Sequence, residues 1–174
     1  EIFNANKAPS YKFKAKLTSH PVTPSASNNV PTAENEQFKG KLTITPSGKK
    51  LFDFSQNIAG YISFKVKAHP CQKIKITCGE MLENGELTLK NIQCKNKKIT
   101  TPLQKIEYIC KEGINEYKTE FAVFGFRYAS VETDVDIGED DITAIAVYSD
   151  MEETGSFTSS NDLLNKFVEA TRWS

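Results

Sequence analysis

The stretch from residue 61 to residue 78, YISFKVKAHPCQKIKITC, decides the fold, because apolar residues occupy every second position in each of its halves. The alternating apolar positions are Ile62, Phe64, Val66, Ile74, Ile76 and Cys78. Lysines fill most of the positions between them, so an extended chain would carry one apolar face and one charged face. Period-2 alternation of this kind predicts strands that are buried on one side only.

The same pattern continues beyond this stretch. Asn84-Gly85 supplies the positive-φ pair favoured in tight hairpins, so Leu87 and Leu89 should return antiparallel to the preceding strand. Further apolar faces are predicted at Ile106, Tyr108 and Cys110, at Tyr117, Thr119 and Phe121, along Arg127 to Thr133 and along Ile142 to Tyr148. Seven or eight short strands without an intervening helical period predict an all-β sandwich or jelly roll.

The two ends of the chain differ from the middle in composition and in hydrophobic pattern. Five of the seven prolines lie before residue 48, so residues 1–50 are expected to be an extended segment that packs on the sandwich. Short strands are predicted there at Tyr11 to Leu17 and at Lys41 to Thr45. Residues 51–158 form the expected sandwich domain, and residues 159–174 are expected to begin a following helical domain.

That last segment carries the signals of a helix from Asn161 to Trp173. Ser160 or Asn161 can cap its first turn, and its apolar side chains gather on one side: Leu163, Leu164, Phe167 and Val168. We expect the sandwich to cover this apolar stripe only in part.

Composition excludes several classes of function. The 174 residues contain 22 Lys and Arg against 22 Asp and Glu, so no net charge attracts nucleic acid or an anionic membrane. No run approaches the roughly 20 apolar residues that a membrane span needs. Glu1 to Ser10 does not have the pattern of a signal peptide, which leaves cytoplasmic, periplasmic and secreted locations open.

The cysteines do not predict a metal site. Cys71, Cys78, Cys94 and Cys110 contain no Cys-x-x-Cys pair, and both histidines precede a proline. Cys78 and Cys110 stand at apolar positions of predicted strands, where a thiol acts as a small hydrophobe. We therefore expect buried thiols, and we predict neither a metal nor a cofactor.

Polar residues inside apolar runs are the candidates for a site. Asp53, Gln56 and Asn57 interrupt such a run and are predicted to tie a strand bulge to neighbouring backbone, or else to contribute to a sugar-facing or interdomain surface. Arg127 is predicted to pair with a carboxylate or to stack on a ring. The remaining acidic residues considered are expected to be solvated or structural: Glu80, Glu83, Glu86, Asp134, Asp136, Glu139, Asp140, Asp141, Glu152 and Glu153.

Three stretches resemble the bacterial α-L-rhamnosidases. FDFSQNIAGY at residues 52–61 resembles the family's "DFGQNxxGW" strand, and GFRY at 125–128 resembles a second family element. SDMEETGSF at 149–157, SNDLLNK at 160–166 and RWS at 172–174 are similar to the junction between the family's sandwich and barrel. Order and spacing also agree from Leu51 to Ser174. Ser55 replaces the usual glycine, and Tyr61 replaces the usual tryptophan.

The resemblance implies a concanavalin-like β-sandwich that precedes an (α/α)6 barrel. In that family the barrel holds the acidic residues that hydrolyse terminal α-L-rhamnosides with inversion, and their motif is absent from this chain. The resemblance therefore implies no catalytic residue here and leaves substrate-binding residues unassigned. The matching motif residues are expected to be structural: Asp53, Gln56, Asn57, Gly60, Arg127, Tyr128, Asp150 and Glu152.

Three functions remain open at this point. The chain could be an accessory module that supports the barrel of the same parent protein, without chemistry of its own. It could instead be a carbohydrate-binding module for rhamnose-containing glycans, or a self-sufficient hydrolase. The first predicts a broad exposed apolar patch, and the second predicts a groove with aromatic rings and convergent polar groups. The third needs a positioned acid and base, which the sequence does not specify.

Overall fold

A computed structural model of the chain describes residues 1–8, 10–92, 94–95, 100–101 and 104–173, with side chains outside 93–103. The strands are β1 (Ile2–Asn4), β2 (Thr32–Lys39), β3 (Lys41–Ile44), β4 (Lys50–Ala68), β5 (Lys73–Gly79), β6 (Met81–Glu83), β7 (Glu86–Thr88), β8 (Cys94–Lys95), β9 (Thr100–Thr101), β10 (Lys105–Ile109), β11 (Gly113–Lys118), β12 (Phe124–Thr133) and β13 (Ile142–Ser149). Among the described residues, one helix is longer than a single turn, namely α1 (Asp162–Arg172). The predicted all-β architecture with a C-terminal helix is confirmed.

The long strand β4 organises the sheet. Its first part pairs with β3 and β12, its middle with β12 and β13, and its last part with β11. The described strands give one nine-stranded sheet in the order β1-β10-β5-β12-β4-β13-β2, with β3 and β11 beside β4. Because β4 changes neighbours along its 19 residues, the sheet curls around one hydrophobic core. Two small pairs, β6–β7 and β8–β9, stand outside this sheet.

The core contains the residues that alternation selected. Every apolar position predicted in β4 and β5 from Ile62 to Cys78 is buried, as are Ile106, Tyr108 and Cys110 of the β10 region. Aromatic rings meet edge to face within it, with ring centroids 5.1 Å apart for Phe64 and Tyr108. Burial raises the pKa of the Cys78 thiol well above its usual range, so this cysteine stays protonated. The predicted burial of the thiols is confirmed for Cys78 and Cys110 and is wrong for Cys71, which is exposed.

Gly60 lies where β4 is flanked by β12 and β13. It faces Phe124 on one side and Ala146 on the other. A Cβ atom at this position would lie 2.0 Å from the backbone oxygen of Ile145. Only glycine fits this close approach of two backbones.

A large bulge interrupts the pairing of β4 with β12. Asp53 pairs with Tyr128 and Ile58 with Phe126, so the residues from Phe54 to Asn57 lie opposite Arg127 alone. Ser55, within the bulge, has a φ of +66°. This left-handed conformation favours glycine. Glycine is also the residue at this position of the DFGQNxxGW motif that residues 52–61 resemble.

The structure corrects three details predicted from the sequence. The residues from Tyr11 to Leu17 do not form a strand, whereas Thr32–Lys39 forms the unpredicted β2 on β13. Within the first fifty residues, the sheet contains β1, β2, β3 and the first residue of β4. Phe121 is 89% exposed instead of sharing a buried face with Tyr117, because β11 ends at Lys118.

The hairpin predicted at Asn84-Gly85 is confirmed. Asn84 and Gly85 have φ angles of 52° and 79° and join β6 to β7. Two positive φ values in succession match the twist of paired strands, and these two residue types tolerate them best. Tertiary contacts were not needed to predict this turn.

The conformation of Ser55 generates a stability prediction. We expect Ser55→Gly to raise the free energy of unfolding by about 0.5 to 1 kcal/mol, because glycine adopts positive φ without strain. Ser63→Gly is the matched control, since Ser63 lies within β4 and pairs regularly with Thr143. That change should lower the free energy of unfolding by about 1 kcal/mol. Urea unfolding measures both, and destabilisation by Ser55→Gly would contradict the account of the bulge.

Candidate functional site

Five of the expected motif residues lie together at the bulge of β4. The Arg127 guanidinium donates to both carboxylate oxygens of Asp53, with N–O distances of 2.8 and 2.9 Å. Asp53 also accepts the backbone N–H of Ser55 at 2.8 Å. The hydrogen bonds from Arg127, and secondarily that from Ser55, lower the pKa of the Asp53 carboxyl. This ion pair joins β12 to the β4 bulge.

The neighbouring motif side chains extend this cluster. The Arg127 guanidinium lies over the Tyr128 ring, 5.0 Å from its centroid. The Gln56 amide donates to the backbone oxygen of Asn57 at 3.0 Å, and the Asn57 amide donates to Glu80 at 3.3 Å. The bulge is therefore held by contacts with its own backbone and with the end of β5.

Glu80 and Asn91 complete the cluster and were not singled out together from the sequence. Asn91 donates its amide to the second carboxylate oxygen of Glu80 at 2.8 Å. Glu80 thus bridges the bulge of β4 and the segment after β7. No local sequence signal links these residues, because the two amides lie 34 positions apart in the sequence at Asn57 and Asn91.

Of the three remaining motif residues, Gly60 lies within the sheet, and Asp150 and Glu152 follow β13. Asp150 follows β13 and is exposed, and its backbone N–H donates to the Pro31 oxygen at 2.8 Å. Glu152 lines a cleft of about 500 Å³ between the sheet and α1. The structure therefore separates the eight motif residues into the bulge cluster, Gly60 within the sheet, and this pair after β13.

The cleft combines aromatic and acidic side chains. Tyr148 donates its hydroxyl to Glu36 at 2.8 Å, and the Trp173 indole N–H donates to Glu169 at 3.1 Å. Arg172 forms ion pairs with Glu153 and with Glu169. Most of the polar groups that line the cleft are thus already partnered within the chain.

Helix α1 is capped as the sequence predicted and is anchored at its far end. The Asn161 side chain accepts the backbone N–H groups of Leu163 and Leu164 at 3.0 and 3.3 Å. Trp173 packs edge-on against Phe38 and Tyr148, with centroids 5.9 and 6.4 Å apart. A single aromatic residue therefore supplies the ring contacts between α1 and the sheet.

The apolar stripe of α1 is exposed. Leu163, Leu164 and Phe167 are all open to solvent, with Phe167 at 66%, and together with Asn161 and Lys166 they line a shallow groove. None of the residues of α1 is buried. As expected, the sandwich leaves much of the stripe uncovered, and Trp173, which follows α1, packs on the sheet.

The acidic candidates are engaged in local contacts. Glu83 pairs with Lys90, and Glu86 accepts the backbone N–H of Ser47 at 2.7 Å. That hydrogen bond from the Ser47 backbone is the main cause of a lowered pKa at Glu86. A general acid for glycoside hydrolysis needs a raised pKa, so Glu86 is a poor candidate.

The acidic loop around Gly138 is held by backbone donors. Asp134 accepts the N–H of Lys73, Glu139 that of Leu42, and Asp141 that of Gly138. In the part of the chain whose side chains are described, no cluster of three or more His, Cys, Asp or Glu residues could hold a metal ion. The described helix is also too short and too polar to cross a bilayer.

Comparison with known proteins gives a consistent result. The family model described as the bacterial alpha-L-rhamnosidase concanavalin-like domain matches residues 43–148. An alpha-L-rhamnosidase from Formosa agariphila is 34% identical over 139 residues, which cover 78% of this chain and 14% of that protein. One from an Alteromonas species is 28% identical over 71% of this chain and 13% of its own length.

Solved structures show the same relationship. The α-L-rhamnosidase of Aspergillus terreus superposes with a TM-score of 0.74 at 32% identity, covering 83% of this chain and 16% of that one. The α-L-rhamnosidase from Dictyoglumus thermophilum gives a TM-score of 0.74 at 29% identity, and the match again covers 83% of this chain and 16% of that one. The chain thus spans about one seventh of the length of the curated relatives it matches.

The matched residues run from the end of β3 to the end of β13, so they include the β4 bulge, Gly60 and the Asp53–Arg127 ion pair. The fold and the sequence family therefore agree. This chain belongs to the bacterial α-L-rhamnosidase concanavalin-like domain family.

Proposed function

We propose that this chain is a non-catalytic accessory β-sandwich of a longer α-L-rhamnosidase and that it supports the helical catalytic barrel of that protein. The observation that carries the proposal is the apolar stripe of α1. Leu163, Leu164 and Phe167 project into solvent on a helix that Trp173 fixes to the sandwich. Contiguous exposed apolar side chains of this kind mark interaction surfaces.

The stripe suits a helical partner. Leu163, Leu164 and Phe167 follow the spacing i, i+1 and i+4 on α1, which presents one row to an opposing helix. Burial of these three side chains stabilises an interface by about 25 cal/mol for each Å² of apolar surface removed from water. The longer relatives have room for such a partner, because the matched part is about one seventh of their length.

The bulge cluster supports a structural role within the sandwich. The bidentate pair of Asp53 and Arg127 crosses the bulge, and the amides of Asn57 and Asn91 share the carboxylate of Glu80. Each of these groups has a partner in the chain, so the cluster is complete without a substrate. We assign the motif to the shape of β4 and not to chemistry.

A second candidate is carbohydrate binding in the cleft beside α1. Tyr148 and Trp173 supply aromatic surface there, and Glu152 supplies a carboxylate on the rim. Sugar-binding sites use this combination of rings and hydrogen-bonding groups. The accessory role is favoured because Glu36, Glu153 and Glu169 already bind donors within the chain.

The proposed function is tested by activity. The isolated chain should release no rhamnose from an aryl α-L-rhamnoside, whereas the longer natural protein should do so. The reason is that the proposal assigns the acid and the base to the barrel of the longer protein, and the sequence of this chain specifies no such pair. Turnover by the purified chain that disappears when one of its carboxylates is changed would refute the proposal.

Calorimetric titration with rhamnose and rhamnosylated oligosaccharides separates the two candidates. We expect no saturable heat up to millimolar sugar. Binding at millimolar or lower concentration that is abolished in Tyr148→Ala and retained in Tyr128→Ala would establish the cleft as a sugar site. The second variant is the matched control, because Tyr128 lies at the bulge and not in the cleft.

The structural assignment of the ion pair predicts a pH dependence. Arg127→Lys should lower the free energy of unfolding at pH 7, since an ammonium group lacks the planar pair of N–H donors that matches a carboxylate. Water screens this partly exposed pair, so the loss should be about 1 kcal/mol. The pKa of Asp53 is lowered in the folded state, so the pair stabilises above the unfolded carboxyl pKa of about 4. Its contribution is lost as the pH falls through the folded pKa.

The difference between wild type and Arg127→Lys should therefore shrink in unfolding curves measured from pH 7 to pH 3. Lys49→Ala is the control, because Lys49 forms an exposed ion pair with Glu132 at 3.5 Å. This change should alter the free energy of unfolding by less than about 0.5 kcal/mol at either pH. A difference that persists unchanged at pH 3 would show that Arg127 acts through packing and not through the Asp53 carboxylate.

A further inference from the structure

The segment from residue 10 to residue 30, here called the N-terminal arm, leaves the sheet and returns to it. Before it, the Ala5 N–H donates to the Ile109 oxygen at 3.0 Å beside β10. After it, the Pro31 oxygen accepts the Asp150 N–H at 2.8 Å, and β2 begins at Thr32. Every residue of the arm is exposed. The arm is thus tied to the domain at both ends and free between them.

One part of the arm has the pattern of a half-buried strand. Residues 11–17, YKFKAKL, place Tyr11, Phe13, Ala15 and Leu17 on one face and Lys12, Lys14 and Lys16 on the other. The rest of the arm, TSHPVTPSASNNV at residues 18–30, is polar and rich in proline and shows no alternation. Period 2 matches an extended strand, whereas a helix would mix the lysines with the apolar side chains.

The structure leaves this strand pattern unused. Tyr11, Phe13 and Leu17 are 88%, 90% and 98% exposed. Among the described residues, no backbone hydrogen bond reaches residues 11–17. Three large apolar side chains in water and a row of unpaired backbone groups are both stabilised if the segment joins a sheet.

Four of the described strands in the chain's own sheet keep an unpaired edge, β1, β2, β3 and β11, and all are poor hosts for this strand. β3 has only four residues, and β11 carries the charged side chains of Glu116 and Lys118. At one end β1 is only three residues long. At the other end, β2 has a bulge opposite Ala146 and carries Glu34 and Glu36. Bulges and charged side chains discourage pairing at an edge. Both carboxylates are also engaged, Glu34 with Lys118 and Glu36 with Tyr148.

We propose that residues 11–17 form an added β-strand on the edge of a second sheet, contributed by another part of the longer protein. The host edge should be apolar on the face that receives Tyr11, Phe13 and Leu17, and acidic on the face that meets the three lysines. Backbone pairing would supply affinity and the alternating side chains would supply register. The inference rests on the proposed function only in requiring a longer protein.

Hydrogen–deuterium exchange of the longer natural protein and of this isolated chain tests the proposal. The amide hydrogens of residues 12–17 should exchange at least about 100-fold more slowly in the longer protein. Phe13→Pro should remove that protection, because proline has no N–H and restricts the residue before it. Asn28→Pro, in the same arm but outside the alternating pattern, should leave the protection unchanged.

Two results would overturn the proposal. The first is rapid exchange of residues 12–17 in the longer protein. The second is equal protection in the isolated chain, which would mean that the host is the chain's own sheet or a second copy. Rhamnoside hydrolysis by the longer protein is measured separately, so an active protein with an unprotected arm contradicts this inference and leaves the proposed function standing.

Discussion

The close packing of β4 between its neighbours is the constraint on which the rest of this domain depends. One strand of 19 residues must pair with β3 and β12 at its start and with β11 at its end. Between these regions the four residues from Phe54 to Asn57 form a bulge, and a bulge bends a strand locally. Gly60 then allows the β13 backbone to approach. The bulge, its ion pair and this glycine thus all lie on the strand at the centre of the sheet that encloses the core.

Much of the fold could be predicted from local pattern. Alternation located the buried faces of β4, β5 and β10, because successive side chains of a strand point to opposite faces. When one face is buried and the other is exposed to solvent, apolar and polar residues therefore alternate. The Asn84-Gly85 turn was predictable because its backbone angles suit few residue types. β2 was missed, since its eight residues, TAENEQFK, include few apolar side chains, and it is defined by its pairing with β13. Phe121 was misplaced because the end of β11 at Lys118 leaves no sequence signal.

The candidate site was less predictable. The sequence indicated that Asp53, Gln56 and Asn57 hold a bulge and that Arg127 needs a partner, but it could not pair Asp53 with Arg127 across 74 positions. The part played by Glu80 and Asn91 also depends on tertiary structure. These contacts pair the charged groups of the cluster within the chain, whereas α1 leaves three apolar side chains uncovered. This contrast between paired charges and apolar side chains exposed to solvent favours a role in supporting a partner domain over a catalytic role.

The central claim, that the stripe of α1 is covered in the longer protein, is tested most directly by Phe167→Lys in both settings. Phe167 is 66% exposed here, so the free energy of unfolding of the isolated chain should change by less than about 0.5 kcal/mol. In the longer protein the same change would bury an unpaired charge and should destabilise it by about 2 kcal/mol or more. Equal, small effects in the two proteins would contradict the account, because they would show that the stripe remains in water.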